Sequence, residues 1–342
     1  MSFKAPYLPR DDEGYTVSFL PNETEHIAEF FDEYGVVVIR DVLSPADCEA
    51  SVSEMFEIVE SNSTFRRNDA STWDSWPANS IPQYGNISRA PIFTPQFLKN
   101  RANPTLHSVI STLLGRDDLI VNHDRAGLMR PTTNVQTSPT TNSDFPRWST
   151  KPNLHLDMNP WTWLSDPAGI YQQNVLKNLS YERLADFITE NNQPIQSTGT
   201  SIQALFNLLD NKKENGGFVC VPGFHKHFES HFSSIPAPEN PSAGHNFSKN
   251  DPIFQQAQRV TSRAGSLIVW DQTLPHGSFP NKSNQFRAAQ YLRLFPRWLL
   301  TRKQLKYRLI VIFTEAQRVA KGQNVVWSAE EVRALGGVVS EE

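Results

Sequence analysis

The tripeptide His155-Leu156-Asp157 constrains this chain most, because the residues that would complete its chemistry lie much further on, at His276 and Arg287. On an extended strand, residues i and i+2 project to the same side. An H-x-D tripeptide therefore aims an imidazole and a carboxylate into one space. If a distant imidazole returns to that space, two neutral nitrogens and one anionic oxygen share one side of a metal ion. Such a facial set suits non-haem Fe(II) and leaves positions open for other ligands. An H-x-D match alone arises often by chance, so the segment around His276 has to carry the weight.

That segment reads Pro275-His276-Gly277-Ser278-Phe279-Pro280-Asn281, then Lys282-Ser283-Asn284-Gln285-Phe286-Arg287. Ser278 shares the face of His276 on a strand. The Pro-Asn-Lys-Ser-Asn cluster is a turn signal, and Arg287 opens an apolar run from Ala288 to Phe295 that can return to the same space. A guanidinium fork grips a carboxylate through two parallel charge-assisted hydrogen bonds. A metal with open positions and an arginine one strand away suit a dicarboxylate chelated at one end and gripped at the other. 2-Oxoglutarate fits that description.

Together with Asn215-Gly216 and Val221-Pro222-Gly223-Phe224-His225-Lys226, these residues resemble the phytanoyl-CoA dioxygenase family over roughly residues 30 to 296. The resemblance implies a β-rich α+β chain with a double-stranded β-helix core (a cupin-like jelly roll) buttressed by N-terminal helices. It implies Fe(II) on His155, Asp157 and His276, with Ser278 and Arg287 on the far carboxylate of 2-oxoglutarate and O₂ as second co-substrate. The expected reaction is oxidation of an unactivated C–H bond of a small molecule, such as a secondary metabolite, with release of succinate and CO₂. Hydroxylation is the default outcome; desaturation, ring closure and epoxidation stay open. Asp157 argues against a halogenase, which needs that position vacated for a halide. Three departures from the family pattern bear on the substrate side: Phe224 within the P-G-x-H turn, Leu205 where better-known members carry tryptophan, and an added segment from Trp161 to Gln196.

The 342 residues suffice for one large domain, and no composition break suggests two. We expect helical support over about 22–115, a jelly-roll core over about 119–296 and a helical extension over about 300–336. A net charge of −4 gives no reason to expect nucleic acid. Cys48 and Cys220 are too few to staple such a chain and read as buried free thiols. With no apolar leader, no membrane-length run and no S-K-L-type ending, the expected location is the cytoplasm. The oligomeric state is left open.

Asn22 should cap a first helix ended by Gly35, followed by a strand over Val36–Ile39. Ser44-Pro45 opens a second helix. Residues 62–91 read as loop with short strands, Phe97–Leu114 as a helix that Pro104 kinks or splits, and Leu119–Met129 as a strand. The polar stretch from Arg130 to Lys151 reads as a lid or substrate loop. Strands follow at 154–158, 201–209, 217–221, 259–261, 267–270, 275–279 and 286–295. Tyr181–Glu190 is expected as a helix within the insertion, Arg302–Ala320 as an amphipathic helix, and Ser328-Ala-Glu-Glu331 as a capping box.

Most of the nine histidines need not be ligands. His225, His227 and His231 crowd together, but His225 completes a turn and reads as structural. Gln203 is a polar residue on a core strand that needs a partner; co-substrate, substrate and a sheet hydrogen bond are all open to it. Arg89 lies where relatives place a basic residue near 2-oxoglutarate. Trp161 and Trp163 could line a substrate pocket, although core packing is the commoner fate of such aromatics. Arg125, Arg130 and Arg147 flank the expected lid as candidates for gripping an anionic substrate. Rival readings are a cupin-like Zn or Mn hydrolase or isomerase, and a non-catalytic small-molecule sensor; the first has no use for Ser278 and Arg287 as a clamp.

Overall fold

In the computed structural model, residues 3–195, 201–239, 242–320 and 326–336 are described. The first half runs β1 (Ser18–Phe19), α1 (Thr24–Tyr34), β2 (Val36–Ile39), α2 (Pro45–Ser61), α3 (Pro95–Arg101), α4 (Pro104–Leu114), β3 (Leu119–Val121), β4 (Ala126–Met129), β5 (Val135–Ser138) and β6 (Thr141–Ser143). Next come β7 (Asn153–Leu156), α5 (Pro160–Ser165), α6 (Ile170–Lys177), α7 (Leu184–Asn191), β8 (Ile202–Asn207), β9 (Gly217–Cys220), α8 (Phe228–Ser233), β10 (His245–Asn246) and β11 (Gln258–Arg259). The chain then forms β12 (Leu267–Asp271), β13 (His276–Phe279), β14 (Arg287–Leu292), β15 (Leu294–Pro296), α9 (Arg302–Val319) and α10 (Ala329–Ala334).

Among the described residues this is an α+β arrangement with two larger sheets, ordered β1-β2-β12-β8-β14-β4 and β10-β7-β13-β9-β11. From β7 through β9, and again from β12 through β14, successive strands alternate between the two sheets. The apolar, mostly β-branched runs Val36–Ile39 and Leu267–Val269 are wholly buried within the larger sheet, as strands covered on both faces must be. Helix α1 lays Ile27, Phe30, Phe31 and Tyr34 into the core. Helix α2 begins where the Ser44 side chain accepts from Asp47 N at 3.1 Å, with Pro45 in the first turn.

Several expected boundaries move, each for a local reason. Glu23, not Asn22, precedes α1; its carboxylate accepts from Leu20 N and pins the entry turn. Pro104 splits the expected 97–114 helix, because Asn103 takes its own capping bond from Leu106 N. Residues 62–91 form 3₁₀ turns and isolated bridges instead of named strands. The stretch 130–151 carries the β5–β6 hairpin. Within the insertion, α5 and α6 join α7, which starts at Leu184 because Tyr181 holds a left-handed φ of 59°.

The expected strands 119–129 and 286–295 each break in two. β3 pairs with β15, while β4 pairs with β14 in the larger sheet. At the break, Asn122 N donates to Arg293 O at 2.8 Å and Arg293 N to Asn122 Oδ1 at 2.7 Å. These polar residues interrupt both apolar runs at one level. Asp157 also lies just beyond β7, in a bend.

The C-terminal helix ties down the insertion. Arg308 on α9 is fully buried and donates Nε and Nη2 to the two oxygens of Glu190 on α7, each at 2.8 Å, and also reaches Leu335 O and Val121 O. Among the described residues no helix is long and apolar enough to cross a membrane. Removing one member of a buried, bidentate pair leaves the other charge uncompensated, at a cost of about 3–5 kcal/mol. We expect Glu190→Ala to lose that much stability in urea denaturation, whereas truncation of the exposed Glu239 should cost under about 0.5 kcal/mol.

Candidate metal centre and its cavity

Antiparallel pairing of β7 with β13 places His155 opposite His276 and Asn153 opposite Ser278. Gly277 lies between them, where a Cβ would collide with the Asn153 carbonyl, so only glycine permits this approach. The two imidazole rings are 4.7 Å apart by centroid. His155 Nε2 lies 3.3 Å from Asp157 Oδ1, and His276 Nε2 lies 3.5 Å from Asp157 Oδ2. One ligand atom from each of the three falls within 4.8 Å of the others.

The surroundings orient these donors. His276 Nδ1 is 3.0 Å from Leu274 O; a carbonyl only accepts, so Nδ1 carries the proton and Nε2 presents its lone pair to the centre. Gln203 Nε2 donates to Asp157 Oδ2 at 2.6 Å, while its Oε1 accepts from Trp270 Nε1 at 3.1 Å. The indole thereby fixes which way the amide points. The sequence left co-substrate, substrate or a sheet hydrogen bond open to Gln203; its amide is instead taken by the Asp157 carboxylate.

Burial disfavours the Asp157 carboxylate, but charge interactions and hydrogen bonds with His155 and His276 outweigh it and hold Asp157 well below its ordinary range. Burial also disfavours charge on His155, yet Asp157 raises it. For His276 burial prevails and its pKa falls. An ionised oxygen beside a neutral His276 is the donor set a divalent metal needs.

A cavity of about 330 Å³ opens on this group between the two sheets, within the range of small-molecule sites. Ser278 and Arg287 line it with the triad. Arg287 is only 2 % exposed, and its Nε has no hydrogen-bond partner among the described residues. Burial lowers its pKa, while the Tyr291 hydroxyl bonds to it and partly opposes that. Gly217 makes room for it, since a Cβ there would lie 2.7 Å from Arg287 Nε. A buried guanidinium with an unused donor is what a clamp for an anionic ligand requires.

Of the other candidates, Arg125 and Gln203 also reach the cavity. Five do not line it. Arg89 is exposed and its backbone bonds to Asn79. Trp161 donates to Ile235 O at 2.9 Å and packs on Phe232 and His245, while Trp163 is buried in the core. Arg130 lies over the rings of Trp76 and Trp148, and Arg147 pairs with Asp74 on the surface. In both arginines aromatic faces or a carboxylate already use the charge, so neither grips a substrate in this cavity. None of residues 131–150 lines it; the insertion does, through Asn191 and Asn192 at the end of α7. His225 bonds to Asp32 O as a turn residue, and the His225–His231 group forms no metal-ready cluster among the described residues.

Sequence reasoning missed Arg293, Asn122 and Tyr291 in the wall. A signal existed for two of them. Arg287, Tyr291 and Arg293 are spaced by even numbers and share one strand face if the run continues.

Two histidines and an aspartate meeting between two sheets beside a buried arginine define a metal-ready, anion-accepting site of the kind found in oxygenases. The chain belongs to the phytanoyl-CoA dioxygenase family, and its function is of the dioxygenase type. The family's model matches residues 185–289. A Dictyostelium discoideum protein named "Putative phytanoyl-CoA dioxygenase" is 44 % identical over 308 residues, covering 84 % of each chain. Aspergillus versicolor "Ava biosynthesis cluster protein O" is 21 % identical over 318 residues, covering 86 % of this chain and 85 % of its own. The crystal structure of GlcNAc Inducible Gene 2 from Candida albicans shares the fold, with a TM-score of 0.58 at 13 % identity, covering 93 % of this chain and 79 % of its own.

Groups that orient a metal's ligands are typically worth about 10–100-fold in affinity. Gln203→Leu should weaken Mn(II) binding by roughly that factor with the circular dichroism spectrum unchanged. Electron paramagnetic resonance of free Mn(II) measures it, and unaltered affinity would show that Asp157 is held without the amide.

Proposed function

We propose that this chain is an Fe(II)/2-oxoglutarate-dependent dioxygenase that oxidises, most simply by hydroxylation, an unactivated C–H bond of a small molecule. The observation that carries the reading is the convergence of the His155, Asp157, His276 cluster with a buried, incompletely partnered Arg287 in one cavity. The alternation of strands between the two sheets supports a double-stranded β-helix core. The helices before β3 and after β15 would brace one oxygenase unit.

In this reading His155, Asp157 and His276 hold the iron, Arg287 and Ser278 hold the far carboxylate of 2-oxoglutarate, and Gln203 fixes Asp157. With iron, 2-oxoglutarate and O₂ bound, the centre supplies the oxidising power, and the co-substrate leaves as succinate and CO₂. The protein's part is placement. Asp157 offers its carboxylate ionised and His276 offers Nε2 unprotonated. Phe218 and Trp270 pack beside His276 and limit water at that side. A Zn or Mn hydrolase on the same three residues would leave Arg287 buried without a purpose, and so would a sensor that binds a neutral ligand.

Anaerobic addition of Fe(II) and 2-oxoglutarate should produce the weak visible charge-transfer band of the chelate. Asp157→Ala should lose both the band and succinate formation; normal succinate output from that variant would sink the assignment. Arg287→Ala should raise the apparent KM for 2-oxoglutarate by a factor of roughly 30 to 1,000, the equivalent of about 2–4 kcal/mol for a lost charge-assisted partner. An unchanged KM would place the clamp elsewhere.

A further inference from the structure

The cavity wall is chemically divided. Leu205, Phe218, Trp270 and Leu292 are apolar and line it with the proposed metal and co-substrate residues. A polar group also lines it, Asn122, Asp124, Arg125, Asn191, Asn192 and Arg293, tied together by the Arg293 bonds to Asn122 and Asn191. Strand register separates this group from the clamp. β14 ends with Leu292 paired to Ala204, and Arg293 follows at the break, where its backbone pairs with Asn122 instead. Arg287 lies six residues back, at the start of β14, where it pairs with Met129. A single five-carbon diacid held by Arg287 does not account for both arginines.

Two donors in this group have no protein partner among the described residues. Arg125 uses its Nε on Asp124 Oδ1 at 2.9 Å, which leaves both terminal nitrogens of the fork uncommitted. Asn122 spends its Oδ1 on the Arg293 backbone, which leaves its amide nitrogen. Arg293 itself is 4 % exposed and bonds to neutral acceptors only, Asn191 O and Gln272 Oε1. Asp157, Glu190 and Asp124 act on its charge only through space, and no carboxylate bonds to it directly. Three guanidiniums line the cavity against two carboxylates, Asp124 and Asp157. A divalent metal and a dianionic co-substrate cancel each other, so the loaded cavity keeps one net positive charge. Leaving such a charge buried and unpaired is costly.

We infer that this part of the wall is a substrate subsite for a compact organic carboxylate carrying a single negative charge, received by the Arg125 fork and the Asn122 amide beside Arg293. The inference rests on the oxygenase reading and deepens it. A long acyl chain would need an apolar wall where this cavity has asparagines. The insertion that supplies Asn191 and Asn192 is then the segment that sets the size and polarity of the substrate.

The test uses the full chain loaded with Mn(II) and saturated with 2-oxoglutarate, with benzoate, benzamide, phenyl phosphate and decanoyl-CoA titrated in by calorimetry. Benzoate should bind saturably and at least tenfold more tightly than benzamide. Arg125→Gln should lower benzoate affinity at least tenfold, with Arg125→Lys recovering part of it. Asn122→Asp keeps the acceptor for Arg293 N but adds a negative charge, and should weaken benzoate and not benzamide. Equal binding of benzamide, tighter binding of phenyl phosphate or decanoyl-CoA, or no benzoate binding would each overturn the subsite. So would a variant Arg125→Gln that loses 2-oxoglutarate instead, because Arg125 would then belong to the clamp. Uptake of 2-oxoglutarate by the Mn(II)-loaded wild type is measured first. Its failure would overturn the oxygenase reading and the subsite together, whereas failure of benzoate alone would leave that reading standing.

Discussion

The antiparallel pairing of β7 with β13 makes His155 and His276 register partners, and everything at the site depends on that one alignment. A slip of one residue in either strand would send that strand's imidazole to the opposite face, away from its partner. Gly277 fixes the approach from one side, because no side chain fits against Asn153 there. The flanking β9 strand fixes it from the other, pairing Cys220 with His276. The alignment in turn brings Ser278 opposite Asn153, on the Arg287 side of the cavity. Strand geometry thus turns distant sequence positions into a metal-ready triad.

What was legible in the sequence follows from how local its cause is. The i, i+2 rule alone predicts that His155 and Asp157 meet and that Ser278 accompanies His276. The Ser44-Pro45 helix start and the Ser328–Glu331 capping box were equally readable, since each needs only a cap and its neighbours within one turn. Arg287 was found because a turn signal precedes it. The breaks at Asn122 and Arg293 were not found: each run looks apolar and continuous until the other is brought beside it, and the pair that interrupts them lies 171 residues apart. The same limit misled the assignment of Arg130 and Arg147. Their charge and position near a polar loop were visible, but Trp76 and Asp74, which occupy them, come from a segment with no periodic signal. Gln203 was readable only as a polar residue in need of a partner. Its pairing with Asp157 depends on Trp270 across the sheet.

The helical additions act on the site at one remove. Helix α9 buries Arg308 against Glu190, and Tyr181 donates its hydroxyl to the same carboxylate. Gln304 reaches the carbonyls of Leu176 and Leu179 within the insertion. These contacts hold the end of α7, and with it Asn191 and Asn192, at the cavity. A wall built on a short helix would otherwise be loose, because a helix of this length gains little from its own hydrogen bonds. Rigidity of this part of the cavity wall is therefore borrowed from the C-terminal extension.

Buried arginines recur in this chain, and comparing them separates support from binding. Arg101 spends its terminal nitrogens on Ile92 O and Asp124 O, and Arg308 meets a carboxylate and two carbonyls. Both join segments remote in sequence, and both can hold the fold in the absence of any ligand. Arg287 and Arg293 differ. Arg101, like Arg287, keeps an unpaired Nε and, like Arg293, bonds only neutral acceptors, but Arg287 and Arg293 border the cavity and Arg101 does not. Desolvating a guanidinium costs several kcal/mol unless its charge is met. Where the fold meets that cost within itself, the arginine is structural; where it leaves charge facing a cavity, an anion from outside completes it. In the proposed reading one such anion is the co-substrate at Arg287, and the charge at Arg293 that no carboxylate bonds is the physical reason to propose a second.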